Sequence, residues 1–323
     1  QKSDEIVDVT GWSAKGIAYN VGAREKSLLV CPADCDFSFC HKNHKYLFKE
    51  TMKQTKDPSK DKYPDQYWAE IMAFHIGILM GIDVPPAFVA INSKTGNPGA
   101  LIEWFTNDNE LSVSGGDYMK SRITDFDEKR GAQHNLLTIL AISKTWSDKG
   151  ILSHDWQEYW GLCLCFDALI GNTDRHQENW QAIWKGSESV RFSPLFDNGT
   201  SLGHEIFPNK FDQIRNKPWR EGYLRRGKHH MKWSLNSEQR LNFIDGVIKY
   251  CEKFSNITQL LLERLSWDES LLWEQLKYLT RFKIKSSLTI KRAEFVFKLT
   301  CARKLLLTER LEKLSKQQKS MMK

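Results

Sequence analysis

The stretch that most constrains this chain is residues 160–203. It opens with an apolar run over residues 162–170 in which Asp167 is the only charge. It continues as Gly171-Asn172-Thr173-Asp174-Arg175-His176-Gln177-Glu178-Asn179-Trp180. After a polar turn around Gly186 comes a second apolar run, Phe192-Ser193-Pro194-Leu195-Phe196, which breaks at Asp197-Asn198-Gly199. Two Asp and one Asn, each at the end of a buried element, point to a divalent-metal site with a proton acceptor beside it. Mg2+ favours a few carboxylate or amide oxygens plus substrate phosphates over a closed protein cage. Phosphoryl transfer asks little more: one Asp to orient a hydroxyl, and an Asn and an Asp on the metal. Asp174 and Asn179 are five apart, the spacing of base and metal ligand in a kinase catalytic loop. Taken singly each has an ordinary reading, Asp174 as a turn or capping residue and Asp197 as the opener of a Gly-containing turn. Their company makes the case.

At 323 residues the chain can bury one large core or two lobes with a cleft between them. Apolar content of 41% and charged content of 27% fit an ordinary globular protein. The net charge of +7 is dispersed, densest over residues 215–232 and 283–303. It suits polyanions such as nucleotide phosphates without specifying nucleic acid. Seven cysteines in a chain of this size read as the reduced thiols of a cytosolic protein, with secretion into a host as the alternative. Cys31, Cys35, Cys40, His41 and His44 form the one cluster to weigh as a zinc site; it lacks a C-x-x-C pair and a second knuckle. No apolar stretch reaches the roughly 20 residues of a membrane span, and residue 1 opens no basic-then-apolar signal.

In chain order, residues 20–27 carry a glycine and feed the Leu28-Leu29-Val30 run, a hairpin pattern. His44-Lys45-Tyr46-Leu47-Phe48-Lys49 alternates like a strand. Residues 51–64 are polar and loop-like. From Tyr67, apolar residues at Trp68, Ile71, Met72, His75, Ile78 and Leu79 predict a helix with one apolar face ending near Gly81. Glu70 sits near its start, where a kinase helix Glu would hold the strand Lys, or where an exposed helix Glu would simply meet water. Strands are predicted over residues 87–92 and 100–105. In a two-lobed kinase the hinge follows there, with the backbone of Glu103, Trp104 and Phe105 nearest the adenine. Residues 112–117 read as a turn, residues 133–146 as a helix closed at Gly150, and Ser153 or Asp155 as the cap of the helix that delivers Asp174. Arg175 and His176 read as groups that orient the loop or the phosphates, Arg175 equally as half of a structural ion pair, and Asn172 as a partner of Asp174. The aromatic and basic residues over 219–233 form a candidate recognition surface, with protein or phosphate favoured over nucleic acid because no nucleic-acid motif accompanies them. Residues 237–323 read as helical throughout, with Ser266 and Ser287 as helix starts and residues 314–323 fraying.

Leu169-Ile170-Gly171-Asn172-Thr173-Asp174-Arg175-His176 with Asn179-Trp180, then Pro194-Leu195-Phe196-Asp197-Asn198-Gly199 and Ser201-Leu202-Gly203, resembles the HipA-like kinases. The match extends over roughly residues 20–105 and 160–230; Thr200 stands where the family carries a smaller residue, often Ser. The resemblance implies a protein kinase with ATP and Mg2+ as cofactors. It implies Asp174 as catalytic base and Asn179 and Asp197 as metal ligands. Gly22, Ala23 and Lys26 would lie in the phosphate loop and Lys49 on the α/β-phosphates. Longer family members carry an additional N-terminal subdomain, which by this resemblance is not expected here. The resemblance leaves an antitoxin or regulatory protein open as partner.

The expected fold is α+β and two-lobed: a small sheet-containing N-lobe over residues 1–105 and a mostly helical C-lobe over residues 106–323. The expected function is transfer of the ATP γ-phosphate to a Ser or Thr hydroxyl of a protein substrate, with Ser27 and Ser201 as candidate autophosphorylation sites. The alternatives are a lipid or small-molecule kinase, a catalytically weak ATP-binding module, and a basic nucleic-acid binder.

Overall fold

The computed structural model describes residues 1–14, 26–51, 57 and 62–321. The expected phosphate-loop residues Gly22 and Ala23 lie outside the described residues. Six strands in the first third of the chain make one curled, mainly antiparallel sheet: β1 (Val7–Asp8), β2 (Ser13–Ala14), β3 (Lys26–Val30), β4 (Lys45–Glu50), β5 (Ala87–Asn92) and β6 (Asn97–Glu103). Their spatial order is β1-β5-β6-β4-β3-β2, with β1 alone running parallel to its neighbour. Side chains alternate along β4. Tyr46 and Phe48 turn to an outer cluster with Val7, Leu29, Cys31, Cys40, Ala90 and Leu101. Lys45, Leu47 and Lys49 therefore take the opposite face. Cys31 and Cys40 belong to that apolar cluster, where burial pushes both thiols up to about 12. His41 and His44 face Glu103 instead, at 4.0 and 3.7 Å. Among the described residues no group of three or more His, Cys, Asp or Glu could hold a metal ion.

Between β4 and β5 runs α1 (Gln66–Met80), ended by Gly81 in the left-handed region at φ 61°, a conformation glycine adopts without strain. The helical part that follows contains β7 (Leu111–Ser114), α2 (Gly115–Arg122), α3 (Leu136–Asp148), α4 (Trp156–Ile170), β8 (Gln181–Lys185) and β9 (Ser189–Phe192). A 3-10 turn at Pro208–Arg215 leads into α5 (Lys217–Arg226), β10 (Lys228–Lys232), β11 (Arg240–Asn242), α6 (Phe243–Lys253), α7 (Asn256–Arg264), α8 (Glu269–Leu279) and α9 (Ile290–Met321). Instead of one apolar face, α1 buries 11 of its 15 residues, Gln66 and Glu70 among them, because the sheet covers one side and α8 the other. The central helix is α4, packed by α3, α6, α7 and α9 and capped by Asp155, which accepts from the amides of Gln157 and Glu158. Among the described residues no helix is long and apolar enough to cross a membrane.

Local expectations differ from the structure at helix and strand ends. Residues 112–117 are not a turn: they finish β7, and Ser114 caps α2 by accepting from Asp117 N–H at 3.2 Å. Residues 237–323 are not helical throughout, since β11 pairs with β10. Ser266 closes α7 through the Glu263 carbonyl at 2.7 Å, while Asp268 caps α8. Ser287 bonds back to Ile284, and Thr289 takes the Arg292 amide at 3.2 Å. The first-turn amides bond whichever side-chain oxygen the incoming chain sets over them. The Lys-rich end of α9 is helical to Met321; Gln318 anchors it by donating to the Cys251 carbonyl at 2.9 Å.

Candidate active site

A hairpin brings the two halves of the 160–203 stretch together. The chain leaves α4 at Gly171, whose φ of 70° reverses it, runs through residues 172–180, and enters β8. β9 returns antiparallel, with Ala182 opposite Phe192, and the Ser193 amide donates to the Gln181 carbonyl at 2.9 Å. The residues following β9 therefore lie beside those preceding β8. Sequence reading located both loops; the hairpin that joins them is a structural finding.

Hydrogen bonds then fix one loop against the other. Asn172, fully buried, accepts from the Asp174 amide at 3.0 Å and donates to the Asp197 carbonyl at 3.3 Å. The Asn179 side-chain amide donates to the Asp174 carbonyl at 2.6 Å, which turns its oxygen away from that contact. Asp197 has φ 57°, a left-handed conformation that Asp tolerates better than most residues. Its carboxylate meets Lys49 Nζ at 2.5 Å. Lys49, 4% exposed, also pairs with Glu70 at 2.8 Å. Glu70 uses its other oxygen to accept from the Asn198 amide at 2.8 Å. Sheet, helix and the loop carrying Asp197 thus meet on one ammonium group. Glu70 is no exposed helix residue: at 3% exposure it is paired with Lys49.

Behind the loops lies Arg175, which is fully buried and bidentate to fully buried Asp167, with Nη2–Oδ1 at 2.8 Å and Nε–Oδ2 at 3.0 Å. It also donates to the carbonyls of Asn179 and Phe196 and to Asn198 Oδ1. Burial pushes the Asp167 carboxyl up, opposed by Arg175. Burial also disfavours the Arg175 charge, yet the adjacent carboxylate holds it above the usual arginine range. Arg175 is the structural ion pair, contacting both loops from behind. Asn198 and Asp167 were not among the expected site residues. A lone charge in an apolar run requires a partner, and that was the available signal for Asp167. Asn198 offered none.

The remaining expected residues are placed as follows. Lys26 begins β3 and is the register partner of Lys49. The Glu103 and Trp104 amides bond the carbonyls of Pro86 and Lys45, and the Trp104 carbonyl contacts His44 at 2.9 Å. The Phe105 carbonyl accepts from Arg191 at 2.8 Å, and its ring stands 5.1 Å from that of Phe196, next to Asp197. His176 accepts the Glu178 amide on Nδ1 at 3.1 Å and sets its ring 5.7 Å from His230. Ser27 is exposed. Ser201 is buried, its hydroxyl donating to the Asn198 carbonyl at 2.6 Å, which withdraws it as a phosphorylation site.

A model of the HipA-like C-terminal domain matches residues 20–248, more than half of the chain. The chain belongs to that family. No curated protein sequence matches this HipA-like chain. Among solved structures it is similar to the Helicobacter pylori proinflammatory kinase CtkA, with a TM-score of 0.73 and 16% identity over 98% of this chain and 99% of that one. It also matches Shewanella oneidensis HipA, solved with HipB and operator DNA, with a TM-score of 0.48 and 13% identity over 94% of this chain and 66% of that one. A Golgi casein kinase matches with a TM-score of 0.45 and 12% identity over 95% of this chain and 76% of that one. The two-lobed, kinase-like α+β fold of the HipA-like family is therefore the fold of this chain.

In this HipA-like chain, buried imidazoles lie behind residues 172–180. Burial holds His229 down to about 3 and His230 to about 4, and fully buried His134 accepts from Trp180 Nε1 at 3.2 Å. An unfolded His takes up its proton near 6.5, while these stay neutral in the folded state to lower pH. The unfolded chain then binds more protons, so stability is fully present above about 6.5 and lost as pH falls toward about 4. Asp65 and Asp83, raised by burial, act in the opposite sense nearer their own range. The urea midpoint is expected to fall from about pH 7.5 to about pH 5, and the drop to shrink in His230→Asn. Equal midpoints at both pH values would contradict this account.

Proposed function

We propose that this chain is an ATP- and Mg2+-dependent protein kinase that transfers the γ-phosphate to a Ser or Thr hydroxyl. The observation that carries the reading is the Lys49 ammonium held between Glu70 on α1 and Asp197 on the metal loop, with Asn172 tying that loop to Asp174. The donor set fits magnesium. Asn179 has its amide nitrogen committed to backbone and its oxygen facing elsewhere, and Asp197 supplies a carboxylate. Two hard oxygens completed by water and phosphate suit that ion. When bound, the ion would neutralise charge building on the transferred phosphate.

Lys49, released in part from Asp197, would hold the α- and β-phosphates. Lys26, on the same rung of the sheet, would add charge from the roof, with Gly22 and Ala23 in the loop before it. The adenine edge would meet the backbone at Glu103, Trp104 and Phe105. Glu103 faces Pro86, which has no N–H to return to it, so the Glu103 carbonyl is the acceptor for the adenine amine. His176 would orient the phosphates or the loop. Asp174 would align the acceptor hydroxyl and take its proton as the oxygen bonds to the γ-phosphorus and the bond to the departing ADP oxygen breaks. Residues 1–105 and 106–323 would act as the two lobes closing on the nucleotide. A protein substrate, and an antitoxin or regulatory partner acting in the bacterial cytoplasm, complete the reading.

Protein, lipid and sugar acceptors presented side by side with radiolabelled ATP test it; label in lipid or sugar alone would overturn the protein-kinase assignment. MgATP about a hundredfold above Kd is expected to add roughly 2.7 kcal/mol of stability, seen as a rise in thermal midpoint. An unchanged midpoint would count against nucleotide binding.

A further inference from the structure

The family match ends at residue 248, and α9 lies beyond it. This 32-residue helix carries two buried arginines, Arg292 and Arg303, 2% and 5% exposed. Eleven residues separate them, so they share one face about 16 Å apart along the helix. Neither is buried for a strong ion pair. Among the described residues Arg303 has no carboxylate within 4.0 Å, and Arg292 has Asp65 at 3.6 Å. Guanidinium burial is costly, so what these groups bond matters.

Arg303 Nη1 donates to the Ile170 carbonyl at 3.0 Å. That carbonyl ends α4 just before the catalytic loop, and it also accepts from the Leu202 amide, near the end of the metal loop, at 2.8 Å. One oxygen therefore joins the root of the Asp174 loop, the tail of the Asp197 loop and α9. A Cβ on Gly171 would stand 2.2 Å from Arg303 Nη2, so the glycine admits the arginine as well as reversing the chain. Arg292 Nη1 donates to the carbonyls of Gly203 at 3.0 Å and Ile206 at 3.2 Å, the exit of the metal loop. Its Nε faces Asp65, the N-cap residue of α1, five residues before Glu70. The same end of α1 is held by Tyr67 Oη and Trp68 Nε1, both donating to the Ser286 carbonyl at 2.9 Å, just ahead of α9.

We propose that α9 is a strut for the phosphotransfer site, with Arg303 and Arg292 as positioning residues that touch no substrate. Arg303 sets the separation of Asp174 from Asp197, and Arg292 ties the metal loop to α1 and so to the Glu70–Lys49 pair. This rests on the kinase reading for its rate effects and on the junction itself for its conformational ones.

The test uses the full chain with Arg303→Lys, Arg303→Met, Arg292→Lys and Arg292→Met. It measures kcat and KM for ATP by radiolabelled transfer, and amide hydrogen exchange over residues 171–179 and 196–206. Arg303→Met is expected to lower kcat on the order of tenfold to a hundredfold, the cost of a displacement of about 1 Å, with KM for ATP nearly constant. Arg292→Met is expected to raise KM for ATP more than it lowers kcat. In each pair the Lys variant retains more, and exchange accelerates first in those two loops. Wild-type kinetics in both Met variants would overturn the strut. So would a rate loss that only follows the folded fraction, with exchange rising uniformly over all helices. If wild type transfers no phosphate the kinase reading falls. Exchange then decides the strut: faster loops in the Met variants uphold it, and unchanged loops overturn it.

Discussion

Asp197→Asn is expected to abolish nearly all phosphotransfer while leaving the fold in place. The substitution keeps the side chain's shape and its fit against Lys49, which retains Glu70 at 2.8 Å. It removes the charge that would hold the metal. Metal-ion stabilisation of a phosphoryl-transfer transition state is worth several kcal/mol, and each 1.36 kcal/mol is tenfold, so kcat should fall on the order of a thousandfold. Asp174→Asn removes the proposed proton acceptor and leaves Asn172 and Asn179 to hold the backbone of the loop. Its loss should be on the order of 10²–10⁴ in kcat with little change in nucleotide affinity. The two differ in a measurable way: Asp197→Asn weakens the stabilisation by MgATP, and Asp174→Asn preserves it. Initial rates with radiolabelled ATP, beside far-UV circular dichroism and the MgATP-dependent midpoint, check both. Wild-type rates in either folded variant would remove the proposed mechanism.

The second large effect is on stability. Asp167→Ala leaves the Arg175 guanidinium fully buried without its anion, and breaking a buried pair from one side costs about 3–5 kcal/mol. Replacing both partners by apolar residues, Asp167→Leu with Arg175→Met, avoids the uncompensated charge, so the double variant should recover most of that stability. It should not recover activity. Arg175 also holds the Asn179 and Phe196 carbonyls and Asn198 Oδ1, and no apolar side chain replaces those donors. Stability by urea titration and transfer rate should therefore separate: single variant low in both, double variant restored in the first alone. A double variant as unstable as the single would show that the pair contributes net stability, contrary to this account.

Where the fold was legible, local rules were enough. The alternation of residues 44–49 marked β4, and Gly81 marked a helix end, because a left-handed residue after a helix is a glycine position. A helix cap at Ser153 or Asp155 was expected before the apolar run, and the structure selects Asp155. The reading of α1 as one-faced failed because a helix between a sheet and a second helix buries its flanks too, and its own residues do not record that second helix. The turn read at residues 112–117 failed because Ser and Gly residues that favour turns also end a strand and cap a helix.

The amino-acid sequence by itself singled out the candidate groups, through residue type and spacing: two Asp and an Asn at the ends of apolar runs, and a Lys at the end of an alternating strand. Only the tertiary structure decided what holds them together. The β8–β9 hairpin, the amide of Asn172, the buried Arg175–Asp167 pair and the two arginines of α9 join segments apart in the chain, by as many as 227 residues between Asp65 and Arg292. A hydrogen bond between distant segments leaves no period in either one; it exists because burial forces each polar atom to find a partner wherever the folded chain supplies it.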